Sequence, residues 1–223
     1  MPDPLLPIVV LASGRGATFS ALLDAAQSGA LPVEVRALLT DRRTAPVLQF
    51  AEARGVPTVA LRPRDFADRA AFDRHLFDRV AAFEPQLVVL AGYMRVIGAD
   101  IVQAWQGRMI NLHPSLLPKY PGLDTYRQVL AAADPTFGAS VHYVTEALDA
   151  GPVIGRVELP VLAGDSEDSL AARLRPFEQQ LLVATIALIA AGRIALGTRG
   201  VEFDGRSLAQ PLDFEPGAGF PGL

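Results

Sequence analysis

The chain contains no cysteine. That excludes disulfides, thiolate zinc sites and a cysteine nucleophile. It fits a reducing cytoplasm and is also compatible with export. A single lysine, Lys119, stands against nineteen arginines, a bias read here as genome composition. No block of basic residues occurs and the formal net charge is -4, so nucleic acid is not an expected partner. The longest mostly apolar run, Leu181 to Ala191, is too short to span a bilayer, and no membrane association is expected. Met1-Pro2-Asp3-Pro4 has no basic region ahead of an apolar core, so no signal peptide is expected and the location is read as cytoplasmic. A His-x-x-x-His pair, a clustered Asp/His set and a Gly-x-Ser-x-Gly elbow are all missing, which argues against a metal centre and a serine hydrolase.

What is present is ordinary globular material: 223 residues, 50% hydrophobic and 20% charged. Short apolar runs at 8–12, 33–39, 57–61, 86–90 and 109–112 read as strands, the buried ones typical of a parallel sheet. Between them, helical patterns fall at 18–27, 45–54, 68–83 and 99–105; the third carries Phe72, Leu76, Val80 and Phe83 at helical spacing. Alternation of this kind implies βαβ units with right-handed crossovers. After residue 112 the pattern changes. A helix at 125–132 precedes two β-rich runs, 138–144 and 153–161, expected to pair. A long helix follows at 166–191, in which Pro176 should mark a kink or the true start. A hairpin is expected around Asp204-Gly205 and a frayed Gly/Pro-rich tail from Glu215 to Leu223. The expectation is one α/β domain over 1–223: a core at about 7–193, and a C-terminal hairpin and tail at 194–223. Its central sheet should be mostly parallel with helices on both faces and an antiparallel C-terminal part.

The most informative stretch is Asn111-Leu112-His113-Pro114-Ser115-Leu116-Leu117-Pro118-Lys119-Tyr120-Pro121-Gly122. Side chains alternate along a strand, so Asn111 and His113 share one side, and Pro114 ends the strand there. An amide donor and a titratable ring thus meet at a strand's carboxyl end, the edge at which open α/β sheets bind ligands. Such donors suit an oxygen that becomes anionic during acyl transfer. Of the other histidines, His75 falls on a solvated helix face and His142 in a β-rich run, where a satisfied structural role is expected. Asp149, in Leu148-Asp149-Ala150-Gly151-Pro152, is either a turn former or a carboxylate next to His113 that would hold the ring protonated. The turn Ser13-Gly14-Arg15-Gly16-Ala17-Thr18 leads from a strand into a helix. It lacks the third glycine of a dinucleotide fingerprint and the Gly-Lys-Ser/Thr of a P-loop. A single phosphate at the helix N-terminus and a tight turn that binds nothing both fit. The proline-flanked loop Lys119 to Asp124 reads as a movable cover.

The stretch from Asn111 to Gly122 resembles the signature of the folate-dependent formyltransferases. The likeness runs from about Ile8 to Arg193 and includes Leu90-Ala91-Gly92-Tyr93-Met94-Arg95, Ser140-Val141-His142-Tyr143-Val144-Thr145, Leu148 to Pro152 and Gly164-Asp165-Ser166-Glu167-Asp168. The resemblance implies a Rossmann-like fold, 10-formyltetrahydrofolate as co-substrate, no metal, and glycinamide ribonucleotide (GAR) as the acceptor in purine synthesis. It matches Asn111, His113 and Asp149 to a catalytic trio. Met94, Arg95, Val96 and Ile97 match the segment whose backbone holds the pterin, Arg69 a further folate contact, and Val144, Thr145 and Asp149 the loop that closes over the folate, which also touches Asn111. Gly16, Ala17 and Thr18 match the phosphate turn, and Arg175, Pro176, Phe177 and Glu178 a substrate segment with Glu178 at the glycinamide end. Two positions depart from the family pattern: the turn is usually close to Ser-Gly-Asn-Gly-Ser-Asn, and a histidine usually stands at Asp124. Within the family, a methionyl-tRNA branch would bring a further C-terminal domain and a formyltetrahydrofolate hydrolase an N-terminal one; neither is expected. Outside it, a non-catalytic nucleotide-binding module is the alternative. A homodimer is compatible with the reading and not required by it.

Overall fold

A computed structural model describes residues 4–222. The chain divides into two compact units, Met1–Asn111 and Leu112–Leu223.

The first unit is a run of βα repeats: β1 (Leu6–Leu11), α1 (Ala17–Gln27), β2 (Val33–Thr40), α2 (Val47–Ala53), β3 (Thr58–Ala60), α3 (Arg69–Ala81), β4 (Leu87–Leu90), α4 (Ala99–Ala104) and β5 (Met109–His113). Strand order is β5-β4-β1-β2-β3, and each neighbouring pair is parallel. Ile8, Val9, Val10 and Leu11 are all fully buried, although consecutive strand residues face opposite ways. Both faces of β1 are therefore covered, as its unbroken apolar run requires. Phe19, Leu22 and Leu23 of α1 and Phe72, Leu76 and Val80 of α3 supply the buried helix stripes. The Asp68 side chain caps α3 by accepting from the Ala71 N–H at 2.7 Å. The chain proceeds from β1 outward to β3, then returns to β4 on the other side of β1. The sheet's switch point thus lies between β1 and β4, and the turns that follow these two strands flank it. α2 starts at Val47, two residues later than its apolar pattern suggests, because Pro46 occupies the cap.

The second unit contains α5 (Thr125–Ala132), β6 (Thr136–Tyr143), β7 (Val153–Pro160), α6 (Glu167–Ala190), β8 (Ile194–Gly197), β9 (Gly200–Phe203), β10 (Arg206–Ser207) and β11 (Leu212–Asp213). β6 and β7 pair antiparallel, as expected. α6 packs on both of them, and its Ser166/Ser169 capping box sets its start at Glu167. Pro176 therefore does not begin this helix, which runs on to Ala190. β8, β9 and β10 form a small antiparallel sheet, with Asp204 and Gly205 both at positive φ in the β9–β10 turn. The tail is more ordered than its composition suggests. β11 pairs parallel with β7, Phe214 is buried, and its ring meets that of Phe220 edge-on at 5.4 Å. Phe220 also lies against Gly155, where an added Cβ would stand 3.0 Å from the ring, so two aromatics anchor a segment rich in glycine. Leu223 lies outside the described residues.

Candidate active site

β5 delivers Asn111 and His113 two residues apart on one strand, hence on one face, and Pro114 stops it. The His113 side chain is 6% exposed. Its Nε2 lies 2.9 Å from the Tyr120 carbonyl oxygen. A carbonyl only accepts, so Nε2 carries the proton of that bond. The other edge of the ring faces Asp149, with Nδ1 3.5 Å from Oδ2. This is the contact that spacing alone left undecided. The Asp149 carboxylate takes the Gly122 N–H at 2.8 Å on Oδ2, and its Oδ1 lies 3.6 Å from His142 Nε2. Asp149 itself sits at φ 49°, the left-handed region that a short polar residue tolerates best. Gly151, two residues on, admits only a hydrogen: a Cβ there would lie 1.8 Å from the Tyr143 carbonyl oxygen. The turn is thereby pressed against the end of β6.

His142, read from the sequence as a satisfied structural histidine in a β-rich run, lies on the other side of Asp149. It is buried, its Nδ1 is 2.9 Å from the Tyr143 carbonyl oxygen, and it shares Asp149 with His113. Burial pushes its pKa down, against the opposing pull of that carbonyl and of Asp149. The available signal was its place in the same β-rich run that leads to the Asp149 turn. Ties of the cover loop include Tyr120 to His113, Gly122 to Asp149, and the Lys119 ammonium and Tyr120 hydroxyl to Asp134 at 2.8 and 2.6 Å. The chain's one lysine thus has a structural partner. Val144 follows the end of β6, and the Thr145 hydroxyl donates to the Ala147 carbonyl at 3.3 Å. Leu148, beside them, is an exposed apolar side chain.

On α6, Pro176 is exposed, whereas Phe177 and Glu178 are half-buried. Burial raises the Glu178 carboxyl to about 7, opposed by the charge of Arg175 and by a hydrogen bond from the Tyr126 hydroxyl on α5. Tyr126 lay outside the residues singled out in the sequence.

In the first unit, Gly16 caps α1 at φ 79° with no side-chain cap, and α1 begins with Ala17 and Thr18. The early N–H groups of a helix have no partner within it and favour an anion. Gly16 has no substitute, since a Cβ would come within 2.2 Å of the Val47 side chain. The Met94–Ile97 segment follows β4, with Met94 and Val96 exposed and Ile97 buried. Arg69 on α3 donates to the Val96 carbonyl, so two of the expected folate contacts do meet. The Arg95 guanidinium lies over the Phe72 ring, 5.1 Å from its centre. Among the described residues no group of three or more His, Asp or Glu could hold a metal ion.

A profile of the formyl transferase family matches residues 6–186. This chain belongs to the formyl transferase family. It is 41% identical over 201 residues to the phosphoribosylglycinamide formyltransferase of Escherichia coli (strain K12), covering 90% of this chain and 95% of that protein. The phosphoribosylglycinamide formyltransferase of Mycobacterium tuberculosis (strain CDC 1551 / Oshkosh) is 40% identical over 206 residues, 92% of each chain. The solved phosphoribosylglycinamide formyltransferase of Coxiella burnetii superposes with a TM-score of 0.88 at 40% identity, over 92% of this chain and 96% of that one. As a formyl transferase the chain is an α/β protein with a mostly parallel sheet and a small antiparallel one. No helix among its described residues is long and apolar enough to cross a membrane.

Proposed function

We infer that this chain transfers the formyl group of 10-formyltetrahydrofolate to the amine of 5-phosphoribosylglycinamide, giving N-formyl-GAR and tetrahydrofolate in de novo purine (IMP) biosynthesis. The observation that carries the reading is the buried His113–Asp149 pair, 3.5 Å apart at the end of a strand that also bears Asn111. The acceptor amine attacks the formyl carbon, forming a C–N bond and placing negative charge on the formyl oxygen. The Asn111 amide and the His113 ring stabilise that oxygen. Asp149 orients the ring through Nδ1. In this scheme the Nε2–H, which here donates to the Tyr120 carbonyl, is released from that carbonyl to face the oxyanion. The bond from carbon to the folate N10 then breaks, and the proton lost by the amine reaches N10 through His113 or a water. No bond to the enzyme forms.

The binding roles follow from the same reading. Backbone groups of Met94, Arg95, Val96 and Ile97 hold the pterin, with Arg69 and the segment Val144 and Thr145 assisting. The N–H groups at Gly16, Ala17 and Thr18 take the phosphate. Arg175 to Glu178 serve the ribonucleotide, with Glu178 accepting from its amine. No metal takes part, and a cytoplasmic setting suits a chain without cysteine. Either a monomer or a homodimer serves this scheme.

A coupled assay with GAR and 10-formyltetrahydrofolate tests it. Equal amounts of N-formyl-GAR and tetrahydrofolate are expected. Formate release without GAR would instead mark a hydrolase, and binding without turnover a nucleotide-binding module.

A further inference from the structure

We propose that Ser13 is a positioning residue that makes the phosphate turn and the pterin-holding segment one mechanical unit, so that occupancy of either is felt by the other; this rests on the substrate assignments above. Ser13 is the first residue of the turn that leads to Gly16, yet its bonds go to the other strand's turn. Its N–H donates to the Gly92 carbonyl at 3.1 Å, and its hydroxyl oxygen accepts the Met94 N–H at 3.0 Å. The side chain spans both turns at the sheet's switch point and is 2% exposed. A buried hydroxyl so used has little freedom to exchange its partners for water.

Further anchors of the segment come from α3. Arg69 donates to the Val96 carbonyl, the Asp73 carboxylate accepts the Gly98 N–H at 2.9 Å, and Arg69 Nε lies 3.7 Å from Asp73. The far end of the segment is therefore fixed to a helix that takes no part in the phosphate turn. Its near end, at Met94, is tied to that turn through Ser13. On the other side, the turn is tied to α2 by the Val47 N–H, 3.4 Å from the Gly14 carbonyl. A shift of the turn on binding phosphate thus reaches the segment through Ser13, by its N–H at Gly92 and by its hydroxyl at Met94, and only the second link is lost in Ser13→Ala.

The test separates Ser13 from Asp73. Ser13→Ala should raise KM for both the ribonucleotide and the folate by about three- to tenfold, the loss of one buried hydrogen bond, with a smaller change in kcat. Asp73→Asn should raise KM for the folate only, and Ser13→Thr, which restores the hydroxyl, should return both values toward wild type. A Ser13→Ala change confined to one substrate, or absent from both, overturns the proposal. Should Ser13→Ala fail to fold, amide exchange on the wild-type chain decides. Saturation with inorganic phosphate should slow exchange at Met94, and an unchanged rate overturns the coupling. A wild-type chain that exchanges as expected but never formylates GAR would leave the coupling standing and sink the substrate assignment instead.

Discussion

The turn at residues 13–16 and the cluster around His113 solve different problems with different materials. The turn presents backbone N–H groups at the start of α1, with a left-handed glycine and no side-chain cap. The cluster presents side chains: a ring whose two nitrogens face a carbonyl and a carboxylate, and a carboxylate that serves two rings and an N–H. Backbone donors survive changes of side chain, provided the φ angle is kept. Side-chain chemistry does not. A turn that works through backbone groups can thus carry Arg15, Ala17 and Thr18 with its N–H groups intact, whereas the cluster depends on the side chains of His113 and Asp149 themselves.

The comparison breaks if the cluster tolerates truncation. His113→Ala and Asn111→Ala should each lower kcat/KM by about 10²–10³ or more in the coupled assay. Turnover near wild type in either variant would remove that residue from the oxyanion site. Asp149→Asn keeps an acceptor for the Gly122 N–H but loses the charge beside His113. A fall of about 10²-fold in kcat is expected, together with an altered pH–rate profile. In the turn, Gly16→Ala should raise KM for the ribonucleotide about tenfold and lower the melting temperature. The left-handed φ costs about 1–2 kcal/mol for a residue with a Cβ, and that Cβ would collide with Val47.

Glu178 sharpens the contrast through pH. Its carboxyl rises from 4.5 to about 7 because the folded chain buries it. Between these values the folded state keeps a proton that the unfolded chain releases. Its stabilising contribution is thus full below about 4.5 and is lost as pH rises through 7. Glu178→Gln should flatten that decline in the unliganded protein, by roughly 1–3 kcal/mol across the window, read from melting curves at stepped pH. An unchanged slope would show that the carboxyl is not held in its uncharged form. The smallest effect is expected at Ala17. Adding a hydroxyl with Ala17→Ser should change KM for the ribonucleotide by less than about threefold if, as proposed, backbone N–H groups hold the phosphate.

Much of this was visible in the chain before folding. Periodicity located the strands and helices of the βα repeats to within a residue or two, since buried parallel strands are unbroken apolar runs. The Asp204-Gly205 hairpin was legible because both positions need positive φ. The tail was not. The glycines and prolines of 215–223 read as fraying, while Phe220 lies against Gly155 of β7, more than fifty residues back along the chain, and meets the ring of the buried Phe214. The contacts of His142, Ser13, Asp73 and Tyr126 were not legible for the same reason. Their partners are Asp149, Met94, Gly98 and Glu178, and no local pattern pairs them.

By itself the sequence determined the secondary elements, the absence of thiol chemistry, the family, and the placing of Asn111 and His113 on one strand face. These depend on local periodicity and residue type. Tertiary structure alone decided that Asp149 stands beside His113 with His142 on its other side, and that Ser13 bridges two turns. A hydrogen bond or ion pair is a matter of a few ångströms in space, and the separations along the chain that lead to it, 36 residues for His113 and Asp149 and 81 for Ser13 and Met94, leave no trace in local composition.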